Sequence, residues 1–495
     1  MRGELKVKSI IKIFPVVVIG TLILNGIDIL IAAATGMFVA IVVCIVVDGR
    51  KVNEAMNAAM DGARECTNVA FILMMAYAMA EIYMATGVGA SAISIFLHMG
   101  VTGKTVALVT FLATCMLSVA TGTSWGTYAA CFPIFIWLSN MVGGDPVLTL
   151  GAAIGGSMFG DNIGLISDTT ILSSGMQVVK VTDRVRVQVV WTMICVAIAA
   201  IITVFVASSM GLPDATGDPS QVLANMSEQT LAVLEEKRPS VLILLEQVQK
   251  GVPFYMVIPV FLVIALAIMR LDTIICLFAG IVLSVALGAI SGTVSSITAM
   301  VDCVYTGFEA AGSWAMVMLL WAMGFGGIMR YMNAFAPISG FFVRVSKKVR
   351  HLVFCNGLLC LLMNGTLNED LSQIATTGPI IKNIINDNVE GSEEDLYALR
   401  NRNALFADAI GVHTSVLIPW HVSVAYFLGI ASAVFPLHTF QIRDLYYNFF
   451  SIISVTSLYV LTFTGWDRFI PMFGLPSEPQ VSLKKYAEGK TMDTI

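Results

Sequence analysis

Two matching stretches, half a chain apart, constrain the fold of this sequence more than any other feature. FGDNIGLIS at 159–167 aligns with FADAIGVHT at 406–414, an offset of 247 residues, with four identities in nine positions. Further matches lie upstream in the same order, at offsets of 243 and 246 residues: TGT at 121–123 with NGT at 364–366, and Pro133 with Pro379. Three ordered matches predict two copies of one structural unit.

Each copy places an aspartate, Asp161 or Asp408, inside an apolar run. Between Lys104 and Lys180 lie 75 residues that contain three aspartates and no lysine or arginine. A carboxylate without a counter-charge is costly in the interior of a membrane. The sequence therefore predicts that a mobile cation or a proton supplies the missing charge.

Composition identifies the environment of these acids. The chain is 57% hydrophobic and 12% charged, whereas soluble domains carry roughly 25% charged residues. Its 41 glycines and 15 prolines are typical of closely packed and interrupted membrane helices. The predicted fold is an all-α polytopic membrane protein with two inverted-topology repeats, re-entrant hairpins and broken transmembrane helices.

Apolar spans and charge clusters divide the chain into four parts. We predict a first transmembrane repeat at 1–210, a polar extracytoplasmic linker at 211–252, a second, inverted repeat at 253–465 and a cytoplasmic tail at 466–495. Because basic residues favour the cytoplasmic side, both termini are expected there. The clusters that lead to this prediction lie at 2–12, 50–51, 180–186, 344–350 and 484–490.

Short apolar pieces separated by glycine-rich breaks predict the hairpins and broken helices. Bare backbone is tolerated at membrane depth only where it lines a cavity enclosed by protein. The predicted breaks are TGTSWG (121–126), GGDP (143–146), GDNIG (160–164), NGTLNED (364–370) and ADAIG (407–411).

Oxygen-bearing side chains gather beside the two aspartates and form a candidate ion site. Oxygen ligands suit hard ions such as Na⁺ or H₃O⁺. The alternative is that each aspartate only caps the following helix segment, and this applies equally to Asp168. The candidate ion-binding residues are Asp161, Ser167, Asp168, Thr170, Asp408, Thr414 and Ser415, with Asp161 and Asp408 as the Na⁺ ligands.

The predicted hairpin tips and the residues around the breaks could hold an organic substrate. The alternative is that the hydroxyls bond back to their own helices and that the adjacent acids Glu369 and Asp370 form a solvated turn. The candidate substrate-binding residues are Thr121, Thr123, Ser124, Thr127, Asn162, Asn364, Thr366, Glu369, Asp370, His413 and Trp420.

Three motifs resemble the signatures of the NhaC sodium/proton antiporter family: GTSWGT, FGDNIGLISDTT and ADAIGVHTSVLIPW. The resemblance covers most of the chain and is specific at these motifs. It implies a multi-pass protein of the cytoplasmic membrane that exchanges Na⁺ for H⁺, with some relatives moving carboxylates or amino acids. By this match, site roles pass to Asp161, Ser167, Asp168, Thr169 and Thr170, then to Asp408, Gly411, Thr414, Ser415, Pro419 and Trp420.

The sequence departs from the family pattern at two places. Gly164-Leu165 stands where the family usually has Ser-Pro, and Ala407 replaces the glutamate of a Glu-Asp pair. One family carboxylate is therefore missing, while Glu369 and Asp370 are extra. These departures leave the ion stoichiometry open and favour an organic substrate.

The resulting expectation is a secondary transporter, first of all a Na⁺/H⁺ antiporter in which Na⁺ and H⁺ compete for buried aspartates during alternating access. The alternative is Na⁺- or H⁺-coupled transport of a small amino acid, amine or carboxylate. We expect no enzyme, because the sequence offers no nucleophile with its base and no metal triad, and it lacks an H-E-x-x-H motif. The expected partners are the lipid bilayer, Na⁺ and H⁺, without a cofactor or nucleic acid, and a homodimer is left open.

Overall fold

The computed structural model describes residues 11–216, 231, 234–235, 238–294, 296–312, 314–334 and 336–484. This part of the chain is nearly all helical, and four of its helices are long and apolar enough to cross a membrane. A further pair, 297–311 and 314–331, meets at an angle of 41° and together has the apolar length of one span. The predicted all-α polytopic membrane fold with interrupted helices is confirmed.

The first half contains ten described helices. They are α1 (Phe14–Leu24), α2 (Ile29–Asp48), α3 (Val52–Glu65), α4 (Thr67–Thr86), α5 (Val88–His98), α6 (Val106–Thr121), α7 (Ser124–Met141), α8 (Pro146–Ile163), α9 (Asp168–Gln177) and α10 (Val181–Ser209). α11 (Pro239–Lys250) follows in the middle of the chain.

The second half contains ten more described helices. They are α12 (Ile258–Ile268), α13 (Thr273–Ser291), α14 (Ile297–Ala311), α15 (Trp314–Tyr331), α16 (Ala336–Val345), α17 (Val349–Leu367), α18 (Asp370–Asn388), α19 (Glu393–Thr414), α20 (Val422–Val434) and α21 (Phe449–Thr464). A short antiparallel pair joins β1 (Val389–Glu390) to β2 (Ser482–Leu483).

The two predicted hairpins are built alike. α6 and α7 are joined at Gly122, and α17 and α18 are joined at Asn368, 246 residues later. Both residues end a helix in the left-handed region, with φ of 70° and 58°. This conformation reverses the chain within two residues and suits Gly and Asn. Each hairpin therefore brings the N-terminus of its second helix to a tip inside the protein.

The two halves interlock, because helices of each half pack against a helix of the other half. α2 and α3 of the first half pack on α15, while α13 and α14 of the second half pack on α4. Both crossings use a glycine: a Cβ on Gly62 would lie 2.6 Å from the Cα of Gly327, and one on Gly307 would lie 2.6 Å from the Cα of Ala78. Gly62 and Gly307 are themselves 245 residues apart. Reciprocal packing of this kind is typical of two related repeats.

One of the predicted breaks lies later in the chain than expected. α8 ends at Ile163, inside the GDNIG motif, whereas α19 continues through ADAIG to Thr414, so Asp408 lies in an unbroken helix. Gly411 is tolerated there because α18 approaches closely: a Cβ at this position would lie 2.8 Å from Oε1 of Gln373. The chain leaves α19 only at Ser415–His421, before α20.

Parts of the predicted linker and tail pack against the helical core. α11 buries Val241, Leu244 and Leu245, and Arg238, just before it, forms an ion pair with the buried Glu81 of α4. In the tail, Phe473 and Val481 are buried. Residues 217–230 and 485–495 of these two predicted segments lie outside the described residues.

Candidate functional site

The candidate site lies where the first hairpin tip meets the end of α8. Asp161 is partly buried, and its two carboxylate oxygens accept hydrogen bonds from the backbone N–H of Ser124 (3.0 Å) and from the hydroxyl of Ser167 (3.0 Å). Ser124 is the first residue of α7, so the positive end of that helix faces the acid. Among the described residues, no Lys, Arg or His forms an ion pair with Asp161.

Backbone and hydroxyl oxygens surround this carboxylate. The carbonyl oxygen of Asp161 accepts hydrogen bonds from Thr169 (3.1 Å) and Thr170 (2.9 Å), both at the start of α9. The hydroxyls of Ser167 and Thr169 lie 2.9 Å apart. The arrangement gathers carboxylate, hydroxyl and carbonyl oxygens, the ligand chemistry that a Na⁺ ion requires.

Asp408 joins the same network from the other half of the chain. Its Oδ2 lies 3.3 Å from the hydroxyl of Thr170, which connects it to the backbone of Asp161. Unlike Asp161, Asp408 is fully buried and forms an ion pair with Arg184 of α10. The expectation that both aspartates lack a fixed counter-ion is therefore wrong for Asp408, because folding brings a base from outside the cation-free stretch. Its role as an ion ligand stays a prediction.

Arg184 and Gln188 hold the end of α8 in place. Both side chains are buried and both donate to the backbone carbonyl of Asn162, at 3.2 and 2.7 Å. Gln188 Nε2 also lies 3.3 Å from Oδ1 of Asn162. The carbonyl group that the end of the helix leaves unpaired is thus satisfied by α10 rather than by water.

The second hairpin tip adds a third acid. Asp370 is the first residue of α18, and its charge interacts with those of Asp161 and Asp408. Its Oδ1 lies 3.4 Å from Nε2 of His421. The backbone N–H of Ser423 donates to Nδ1 of His421 (3.1 Å), so a neutral ring carries its proton on Nε2, which lies 3.3 Å from its hydrogen-bond partner, Oδ1 of Asn364.

Asn364 ties this second tip to α19. Its amide nitrogen donates to the carbonyl of Gly411 (2.9 Å) and to the hydroxyl of Thr414 (3.0 Å). Trp420 donates from its indole nitrogen to the carbonyl of Gly365 at 2.5 Å. Asn364, Thr414 and Trp420 are all predicted site residues. They lie together and hold the second hairpin tip in place, as a positioning role requires.

Several predicted substrate contacts bond close to their own helices instead. The hydroxyls of Thr121 and Thr127 pair at 2.8 Å, and Thr123 caps α7 by accepting from Gly126. The three threonines line a small apolar cavity against α12 and α13. In the second copy, Thr366 donates to the carbonyl oxygens of Leu362 and Met363, while Glu369 accepts from two backbone N–H groups and caps α18.

Three further predicted residues lie apart from the acid cluster or bond locally. Asp168 is exposed at the first position of α9, where an acid interacts favourably with the helix dipole. Ser415 donates to Val412 of its own helix (2.7 Å). His413 is buried against α21, with Nδ1 3.4 Å from the hydroxyl of Ser451. Within the described residues, none of the three forms a hydrogen bond or an ion pair with Asp161, and their binding roles stay predictions.

Arg184 and Gln188 are the site residues that the sequence analysis missed. In the sequence, Arg184 belongs to a basic cluster at the start of a span. A signal was nevertheless present, since Arg184, Gln188 and Thr192 follow one another at intervals of four residues and therefore share one face of a helix. A polar face on a membrane span usually points into the protein.

Comparison with known proteins agrees with this architecture. The profile of the Na⁺/H⁺ antiporter family matches residues 5–208 and 156–466. The malate-2H⁺/Na⁺-lactate antiporter of Bacillus subtilis (strain 168) is 22% identical over 85% of this chain and 87% of its own length. The Na⁺/H⁺ antiporter NhaC of Alkalihalophilus pseudofirmus is 24% identical over 76% and 78%.

A third relative is named for other substrates than the first two. The arginine/ornithine antiporter ArcD of Halobacterium salinarum is 23% identical over 81% of this chain and 79% of its own length. The family profile covers both halves, including both aspartates, and agrees with the resemblance found in the motifs. The chain is a membrane protein of the Na⁺/H⁺ antiporter family.

Proposed function

We propose that the protein is a Na⁺/H⁺ antiporter in which Na⁺ and H⁺ compete for the carboxylate of Asp161. The observation that supports this most is the environment of that carboxylate, which is partly buried, is surrounded by oxygen atoms and forms no ion pair among the described residues. A single positive charge, as a sodium ion or a proton, neutralises it. Asp408, by contrast, is already neutralised by Arg184.

Competition for one carboxylate is sufficient to produce exchange. When Na⁺ or H⁺ is bound, Asp161 is neutral and the site can move past the apolar helices. When the site is empty, the bare carboxylate charge opposes this movement. Each half-cycle then requires a cation, so Na⁺ leaves on one side only if H⁺ or another Na⁺ returns.

The experiment is transport by the purified protein in liposomes that contain a pH-sensitive dye. An imposed Na⁺ gradient should produce a pH change, and Asp161→Asn should reduce it to the level of protein-free liposomes, because an amide can neither bind a proton nor neutralise Na⁺. Asp302→Asn, an exposed acid on α14, serves as the matched control and should keep the signal. Full activity of Asp161→Asn would disprove the proposed role.

The second candidate is cation-coupled transport of a small organic substrate. Two relatives are named as transporters of malate and lactate or of arginine and ornithine. Within the site, Asp370 is an acid at the position where the first hairpin has Ser124, and it interacts with both aspartates. A pure ion exchanger has no evident need for this third acid, so an organic group remains the specific alternative.

A further inference from the structure

Two of the three nitrogens of the Arg184 guanidinium have no partner among the described residues. The side chain is 1% exposed, and its Nη2 donates to Asp408 and to the carbonyl of Asn162. Its Nε and Nη1 have no hydrogen-bond partner among the described residues. Since Nε carries one N–H and Nη1 two, three buried donors lie unused beside the candidate ion site.

The neighbouring amide presents a further unused donor. Gln188 approaches Asn162 from the side of its Oδ1, which orients the amide group and leaves Nδ2 for another partner. Nδ2 is buried and has no partner within the described part of the chain. Arg184 and Asn162 lie together, because Nη2 of the first is 3.2 Å from the carbonyl oxygen of the second.

The other fully buried arginine of this region shows how a structural arginine is satisfied. Nη1 of Arg402 donates to Thr462 at 2.8 Å, and Nη2 donates to the carbonyl of Phe473. The same guanidinium forms an ion pair with Asp467 at 3.3 Å and lies 4.0 Å from the ring centroid of Phe473. Arg402 therefore uses both terminal nitrogens and leaves its Nε without a partner, whereas Arg184 uses one terminal nitrogen and leaves Nε and Nη1 without partners among the described residues.

We propose that Arg184, together with Asn162, binds the carboxylate group of a small organic substrate. The inference rests on the proposed transport function and names the substrate class of the same site. A buried donor without a partner destabilises the folded state. Neither Na⁺ nor H⁺ can relieve this cost, because neither accepts a hydrogen bond. A carboxylate can, because its oxygens accept charge-assisted hydrogen bonds from the free N–H groups of the guanidinium.

The charges of the cluster restrict this substrate further. The charges of Asp161, Asp370 and Asp408 act on one another and Arg184 pairs with Asp408, so these four groups, when fully ionised, carry three negative charges and one positive charge. A bare anion would be repelled. The carboxylate therefore enters with Na⁺ or a proton on Asp161, or as part of a molecule that carries its own amine. Both cases make binding of the carboxylate dependent on a cation.

The test is thermal unfolding of the purified full-length protein at constant NaCl concentration. The probes are L-lactate, L-malate and L-alanine, with L-lactamide and L-alaninamide as partners in which an amide replaces the carboxylate. A ligand that binds the folded state raises its Tm, so at least one carboxylate should raise the Tm saturably and its amide should not. In Arg184→Gln/Asp408→Asn the apparent Kd should weaken about tenfold or more, as expected for a lost charge-assisted hydrogen bond.

A matched control uses the second arginine. Arg402→Gln/Asp467→Asn also removes a buried ion pair and should keep the carboxylate response, and a cooperative transition in each double variant shows that it is folded. Equal shifts from carboxylate and amide, or an unaltered response in Arg184→Gln/Asp408→Asn, would overturn the proposal. The proposal would also be overturned if none of the three carboxylates raised the Tm of the wild type while Na⁺ still did. That outcome would leave the proposed antiporter function intact.

Discussion

At the scale of single residues, the two matching aspartates have different partners. Asp161 faces a helix N-terminus and a serine hydroxyl, whereas Asp408 is paired with Arg184. The sequence predicted that these acids matter, because each lies in an apolar run. It could not predict the asymmetry, since the arginine comes from α10 and meets α19 only in the folded chain.

The Arg184–Asp408 pair yields a prediction about stability. Arg184→Gln leaves a buried carboxylate without a partner and should destabilise the protein by about 3–5 kcal/mol. Adding Asp408→Asn removes the stranded charge, so the double variant should unfold at a higher temperature than Arg184→Gln alone. Thermal unfolding in detergent measures the order. A double variant that is less stable than the single one would show that the two side chains do not form the stabilising pair seen here.

Single side-chain contacts also show which predicted ligands bond to their own helices and which lie at the second hairpin tip. Thr366 and Ser415 bond to carbonyl groups of their own helices, an alternative that their residue types always allow. Asn364 and Trp420 do meet at the second hairpin tip. Residue type alone does not separate the two outcomes, because direction on the helix and the approach of a neighbouring helix decide them.

At the scale of helices, the hairpins and most of the breaks were predictable, and one break was not. α6 and α7 are separated at residues 122–123, inside the predicted TGTSWG break. The break expected at 407–411 lies beyond residue 414 instead. A glycine signals either a helix end or a close contact, and Gly411 serves the second purpose.

The close helix crossing at Gly62 leads to a prediction about stability. Gly62→Ala should lower the Tm, because its Cβ would lie 2.6 Å from the Cα of Gly327 and backbone cannot move aside cheaply. Overpacking of this kind costs about 1–3 kcal/mol. Gly20→Ala, in α1 with nothing within 4 Å of its Cβ, is the control and should leave the Tm unchanged or slightly raised. Equal effects of the two substitutions would contradict the close crossing.

At the scale of the whole molecule, the repeat in the sequence appears as two interlocked halves. The order of helices and the exchange of α2 and α3 for α13 and α14 agree with two copies of one unit. The matching motifs predicted the copies. Opposite orientation of the copies in the bilayer stays a prediction, because it depends on where the membrane lies.

Interlocking predicts how separated halves should behave. Fragments 1–220 and 221–495, produced together, should assemble and co-purify, because α15 lacks its packing partners α2 and α3 in the second fragment alone. Each fragment produced separately should be degraded or should aggregate. Affinity purification through a tag on one fragment measures the outcome. Stable, monodisperse recovery of either fragment by itself would mean that the exchanged helices contribute little.

The pairing of Arg184 with Asp408 also has an electrical consequence. A charge that crosses the membrane is worth about 2.3 kcal/mol for every 100 mV of potential. Arg184 is part of the polypeptide and is never released, so it and Asp408 together contribute no net charge to any movement of the site. The voltage acts instead on Asp161, Asp370 and the ions or substrate bound to them. The net charge of the bound ions and substrate therefore determines whether the membrane potential drives a transport cycle.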